Sequence, residues 1–223
     1  MLPSINRTAR LAGALYLAMA PFSVFGILYV PSALIVPGDA AATAVNIMTS
    51  EGLFRSGILS HLIGQTIFIL LPLVLYRLLK PVNPSLAVVM VILALVGVPI
   101  AFLNELNQLA VLRLLGHPDY LAAFTTDQLH AQAMLLLDLR SYGISLAQIF
   151  WGLWLFPLGY LVYRSGFLPR VLGVLVMIGG VGYLVDSVVF LRFPESGVSI
   201  SQFTFVGEVL FPAWLLFKGV RRE

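Results

Sequence analysis

The chain contains no cysteine. Disulfides, thiolate-bound zinc and thiol nucleophiles are therefore excluded. Charge is nearly as scarce. Asp, Glu, Lys and Arg make up 10% of the 223 residues, while 60% are hydrophobic. A water-soluble domain carries about 25% charged residues, so this chain has too little polar surface to clothe a compact soluble fold. Also missing are HExxH, a Walker A loop, GxSxG and a strand-to-helix GxGxxG, the short signatures of zinc proteases, nucleotide hydrolases, serine hydrolases and dinucleotide enzymes. There are three histidines, His61, His117 and His130, in separate segments. Only His61 falls in a long apolar run, which disfavours a haem held between two histidines.

What is present is hydrocarbon. Mean hydropathy is +0.98, and six stretches are long and apolar enough to span a bilayer: 11–36, 57–79, 86–106, 143–163, 171–191 and 200–217. A span needs about twenty residues, because a ~30 Å hydrocarbon core is crossed at ~1.5 Å per residue. The first run is too long for a signal peptide, and Pro21 follows its only Ala-Met-Ala candidate, so it is expected to be retained. No long polar stretch separates the runs. The fold class expected is all-α: a polytopic membrane helix bundle of six transmembrane helices forming one domain over 1–223.

The basic residues orient it. Arg7, Arg10, Arg77, Lys80, Arg164, Arg170, Lys218, Arg221 and Arg222 fall on one side, against Arg55, Arg113, Arg140 and Arg192 on the other. The positive-inside rule then predicts both termini in the cytoplasm, with the protein in the cell membrane. The net charge of +3 follows from these flanking positions, and nucleic acid is not an expected partner. On the outer side, residues near 39–51 read as a short helix with Asp39 at its N-terminus. Thr125-Thr126-Asp127-Gln128 offers N-caps for a helix running unbroken to Tyr163, roughly 55 Å at 1.5 Å per residue. Helix 3 continues in pattern to Gly116, so helices 3 and 4 are expected to extend beyond the outer face, near 107–140.

Depth then sorts the polar residues. Twenty residues from Pro84 reach Asn104, which places the run Asn104-Glu105-Leu106-Asn107-Gln108 at the outer interface, where the default reading is solvation at a helix exit. Asp138 and Arg140 fall at the same level and, two residues apart, point to different faces. Glu208 lies ten residues before Lys218, close to mid-membrane, where a charged acid costs roughly 2.5–3.5 kcal/mol on insertion scales. His61 and Gln65 are one turn apart on helix 2. Asp186 sits about sixteen residues above Arg170. Ser141, Ser145, Gln148 and Gly152 share one face of helix 4. The polar positions gather in the outer half and the cytoplasmic half is almost pure hydrocarbon, which implies a cavity open to the outside.

Two further stretches carry a resemblance. Gly38-DAAATAVN-Ile47 and Tyr163-RSGFLPRVLGV-Leu175, with Phe54-RSG-Ile58 and Leu78-LKPVNPSL-Ala87, resemble a family of bacterial integral membrane proteins catalogued as a domain of unknown function. The resemblance implies a six-helix membrane fold and carries no substrate, cofactor or catalytic residue. On the residues alone, the function expected is binding of a small molecule or lipid, as a transporter-like or sensor component. Its outward-facing pocket would be lined by His61, Gln65, Gln148, Asp186 and Glu208, with Glu105, Asp138 and Arg140 at the mouth. No metal or other cofactor is assigned. Two alternatives stand beside it. One is an intramembrane metal-assisted hydrolase, in which His61 would meet Glu105, Asp138 or Asp186. The other is an accessory subunit whose polar groups only pack helices.

Overall fold

The computed structural model describes residues 2–220. Arg221 and Arg222, counted above among the basic residues, lie outside the described residues. Secondary structure among the described residues is helical throughout, with no strand. Among the described residues five helices are long and apolar enough to cross a membrane: Ile5–Leu34, Glu51–Leu79, Pro84–Leu115, Thr126–Arg164 and Arg170–Arg192. The chain is a multi-pass membrane protein. The last apolar helix, Ser201–Phe217, is shorter; its 17 residues rise about 25 Å, the lower limit for a pass.

Two of the long helices and the short last one are interrupted, each locally. Helix α1 (Leu2–Ser23) passes into a π-helical turn, Val24–Tyr29, before α2 (Val30–Leu34). Pro31 has no N–H to give to Ile27, and the N–H of Val30 reaches back five residues to the carbonyl of Phe25. The widened turn accommodates the lost bond. The helix expected to run unbroken from residue 126 to Tyr163 is instead two: α6 (Thr126–Leu153) and α7 (Leu155–Arg164), parted at Trp154. The physical reason is Pro157, which cannot donate to the carbonyl of Leu153. The ladder resumes at once, with the N–H of Leu158 bonded to Trp154 O at 3.2 Å. Finally, α9 (Ser201–Thr204) and α10 (Val206–Phe217) part at Phe205, where the N–H of Glu208 bonds the Phe205 carbonyl at 2.8 Å, one residue short of its α-helical partner.

The remaining elements are α3 (Ala40–Thr49), α4 (Glu51–Leu79), α5 (Pro84–Leu115) and α8 (Arg170–Arg192), with short 3-10 turns at Asp119–Leu121 and Pro194–Ser196. Helix α3 begins where the sequence placed it. Asp39 caps it by accepting the Ala42 N–H at 2.8 Å, which satisfies one of the helix's free donors.

The chain forms two compact units. One comprises Ala20–Gln65 and Ala101–Ile144. Its apolar core joins Val30, Leu34, Ala44, Ile47, Phe54, Ile58, Val111, Leu115, Ala133 and Leu137. Helix α3 is latched onto the end of α2 through Asn46 Nδ2, which donates to Leu34 O at 3.2 Å, and through Thr43 Oγ1, which accepts the Val36 N–H at 2.9 Å. The other unit takes the residues up to Met19, Thr66–Ile100 and the chain from Ser145 on. There α7 and α8 meet closely, because a methyl on Gly159 would fall 2.5 Å from Gly173 O. Small residues at such crossings let helix backbones touch in lipid. At the basic turns of this unit, Lys80 lies over Tyr76 and Arg170 over Tyr163, each 5.7 Å from the ring centre.

Candidate functional site

The site is built in the first of these units, where three candidate spans and the π turn bring charge together. Helix α4 supplies His61 and Gln65, one turn apart. Helix α5 supplies Asn104, Glu105 and Gln108, which share a face at i, i+1 and i+4 spacing. Helix α6 supplies Arg140. All six are buried, with His61 and Glu105 at 1% exposure and Arg140 at 4%. This corrects the expectation that the run Asn104–Gln108 and Arg140 are solvated at a helix exit. The exit is one-sided: Leu103 and Leu106 face outward at 66% and 58% exposure, while the polar residues between and beyond them turn into the protein. Asp138 does follow the expectation. It is exposed and stands apart from the cluster that Arg140 joins.

Glu105 is the hub. Its Oε1 accepts from His61 Nδ1 at 2.6 Å, and its Oε2 from Gln108 Nε2 at 2.7 Å. Arg140 Nη2 lies 3.7 Å from the same Oε1 and donates to Gly26 O at 3.2 Å. Asn104 Nδ2 donates to Arg140 O at 2.9 Å and so ties α5 to α6 beside the charge. Gly26 belongs to the π turn, and its Cα surface is pressed onto α4: a methyl there would stand 2.6 Å from Gly57 O and 2.9 Å from His61 Cβ. Only glycine lets that carbonyl come within reach of Arg140.

The imidazole has two consistent states. Its Nδ1 must carry hydrogen to donate to Glu105. Gln65 Nε2 stands 3.3 Å from His61 Nε2, the arrangement of a neutral ring accepting from an amide. A second proton on Nε2 would need an acceptor, and rotation of the Gln65 amide would supply its Oε1. That Oε1 is buried without a hydrogen-bond partner, as is Arg140 Nε. A buried carboxylate thus lies between an imidazole and a guanidinium, with one acceptor and one donor unspent.

Asp186, Glu208 and Gln148 belong to the second unit, and the first two have partners of their own. Asp186 caps α9, accepting from the N–H groups of Ile200 and Ser201 and from Ser199 Oγ. Glu208 accepts from Tyr16 O–H at 2.8 Å. Gln148 is half-buried. Sequence reading missed Asn104 and Gln108 as interior groups, and Gly26, Tyr16 and Tyr183 altogether. A tyrosine in an otherwise aliphatic stretch such as Ala14-Leu15-Tyr16-Leu17-Ala18 was the available signal.

The metal alternative required His61 to meet several carboxylates. It meets Glu105 alone, with a cationic guanidinium behind it. Among the described residues no group of three or more His, Asp or Glu side chains is placed to hold a metal. A groove of about 450 Å³ in the first unit is lined by Ile47, Glu51, Arg55, Leu112, Arg113 and Pro118, among others, and none of the predicted site residues borders it.

Residues 11–219 match the family described as Domain of unknown function (DUF4386). The chain belongs to that family. An uncharacterised protein of Archaeoglobus fulgidus is 36% identical over 149 residues, which is 65% of this chain and 72% of that relative. No solved structure matches. The match covers every element of both units except the start of α1, so the charged centre lies wholly within the family's region.

Proposed function

We propose that this protein binds a small polar solute within the membrane, as a transporter-like or sensor component, and that its recognition centre is His61, Glu105 and Arg140 together with Gln65. One observation carries the reading: the centre is charged, buried within apolar helices and incompletely bonded. Ionisable groups in lipid are costly unless they serve a purpose, and Gln65 Oε1 and Arg140 Nε are spare valences for a guest that both donates and accepts.

The orientation belongs to the same proposal. Ser201–Phe217 acts as a sixth pass, both termini lie in the cytoplasm, and the protein sits in the cell membrane. The clustering of basic residues at Arg77–Lys80 and Arg164–Arg170 supports this. The absence of native cysteine makes the check clean. Single cysteines placed at Pro81 and at Pro118 should react with a membrane-impermeant maleimide only from inside and only from outside, respectively.

A second reading has its own support, since Glu105, Gln108 and Asn104 all satisfy one another or their neighbours, as packing groups in an accessory subunit would. Thermal stabilisation of the protein in lipid nanodiscs by a panel of amino acids, polyols, small carboxylates and lipid headgroup analogues separates the two. Binding predicts that at least one class stabilises the wild type and loses its effect in Gln65→Leu. If no class stabilises it, packing is the correct reading.

A further inference from the structure

We infer a second site, in the unit containing α8–α10: the carboxyl of Glu208 takes up and releases one proton at Oε1, beside Gly179 and the carbonyl of Thr204. The inference does not rest on the His61 centre. Glu208 opens α10 within an apolar helix, and the hydrogen bond to its carboxylate comes from an uncharged donor. Tyr16 on α1 donates to Oε2 at 2.8 Å, and Tyr183 on α8 lies beside the same carboxylate. Among the described residues no Lys, Arg or His lies within ion-pair distance of it. The nearest other acid, Asp186, is spent on the N–H groups of Ile200 and Ser201. Tyr16 is itself fixed by its stack on Trp154, 6.2 Å between ring centres, and Phe68 meets Trp154 edge-on at 5.2 Å. The phenol donor is therefore held in place by an aromatic wall.

Two facts locate the proton. Oε1 is buried and has no hydrogen-bond partner, so one side of a half-buried carboxyl is left unbonded. The break at Phe205 draws the Glu208 N–H away from Thr204 and frees that carbonyl from its helical donor. Both oxygens border the bare Cα of Gly179, where a methyl group would meet Thr204 O at 3.4 Å and Glu208 Oε1 at 3.7 Å. The open side thus has room for a methyl-sized group and offers an acceptor. A broken helix whose freed carbonyl faces an acid is a recurring way to hold a proton or a monovalent ion inside a membrane. Beside Oε1, the space at Gly179 is bordered by one carbonyl, that of Thr204, and by the hydrocarbon of Leu155, a poor replacement for an ion's hydration shell, and the proton is the occupant inferred. Uptake converts the carboxylate to the acid with Oε1–H, release reverses it, and water at the membrane surface is donor and acceptor. No electron moves.

The test uses the full-length protein in lipid nanodiscs and a hydrophobic carbodiimide, which reacts with protonated carboxyls in apolar surroundings, with adducts mapped by peptide mass spectrometry. The expected result is an adduct on Glu208 that forms faster as pH is lowered and is indifferent to sodium chloride. Tyr16→Phe removes a donor to the ionised form, so labelling at fixed pH should rise severalfold, up to about tenfold for the loss of one bond to a charged group. Three results would overturn the inference: no adduct on Glu208, labelling independent of pH, or protection by sodium, which would make the occupant a metal cation. Tyr16→Phe labelling at the wild-type rate would remove the phenol from the site. Gly179→Ala adds a methyl in ordinary contact with both oxygens. It should leave labelling pH-dependent if a proton is the occupant, and abolish that dependence only if something larger binds there.

Discussion

Two carboxylates in this protein take a hydrogen bond of the same length from a basic side chain and should have very different worth. His61 Nδ1 to Glu105 Oε1 is 2.6 Å, and Arg55 Nε to Glu51 Oε1 is also 2.6 Å. The first is buried, and the second has side chains 59% and 52% exposed. In Glu105→Gln the shape is kept and the charge removed. Arg140, 3.7 Å away, loses an attraction of about 4–5 kcal/mol at an effective dielectric constant of ~20 and remains desolvated without a counter-ion. Breaking such a buried pair on one side costs about 3–5 kcal/mol, which for a chain of this size lowers the thermal midpoint by roughly 6–20 °C. Glu51→Gln, discounted for solvent screening, should cost about 0.5 kcal/mol or less. Tryptophan fluorescence on heating, in nanodiscs, reads both. Adding Arg140→Met to Glu105→Gln should recover part of the loss, because it removes the orphaned charge. If Glu105→Gln melts together with Glu51→Gln, the centre is hydrated or uncharged and the electrostatic account is wrong.

Two further substitutions probe how the sites are held. Gly26→Ala forces a methyl to 2.6 Å from Gly57 O and should destabilise by about 1–3 kcal/mol as the π turn lifts off α4. Gly52→Ala on the same helix meets nothing within 4 Å and should stabilise by about 0.5–1 kcal/mol; equal midpoints for the two would refute the close contact. Asp186→Ala leaves the N–H groups of Ile200 and Ser201 without their acceptor and should cost about 1–3 kcal/mol. Faster backbone hydrogen exchange confined to α9 would be its signature, and unchanged exchange there would refute the capping role.

Composition and run length alone determined the class of this protein, because the hydrophobic effect is indifferent to detail: a chain with so little charge has to be solvated by lipid, and twenty apolar residues have to cross it. Local chemistry likewise fixed Asp39 as a helix cap and the aromatic and basic residues at the turns, since those effects act over a few residues. The interruptions at Trp154 and Phe205 were harder to read: Pro157 equally suits an unbroken membrane helix whose neighbours make good the lost bond, and no proline marks Phe205. What the sequence could not decide was azimuth. Counting residues gives height along a helix, and by height Glu105 and Leu106 are the same residue. Around the helix they lie about 100° apart, one facing His61 and Arg140 and the other outward. Only the packing of α4, α5 and α6 decided which of them became a buried charge, and only the crossing of α1, α8 and α10 gave Glu208 its two tyrosines.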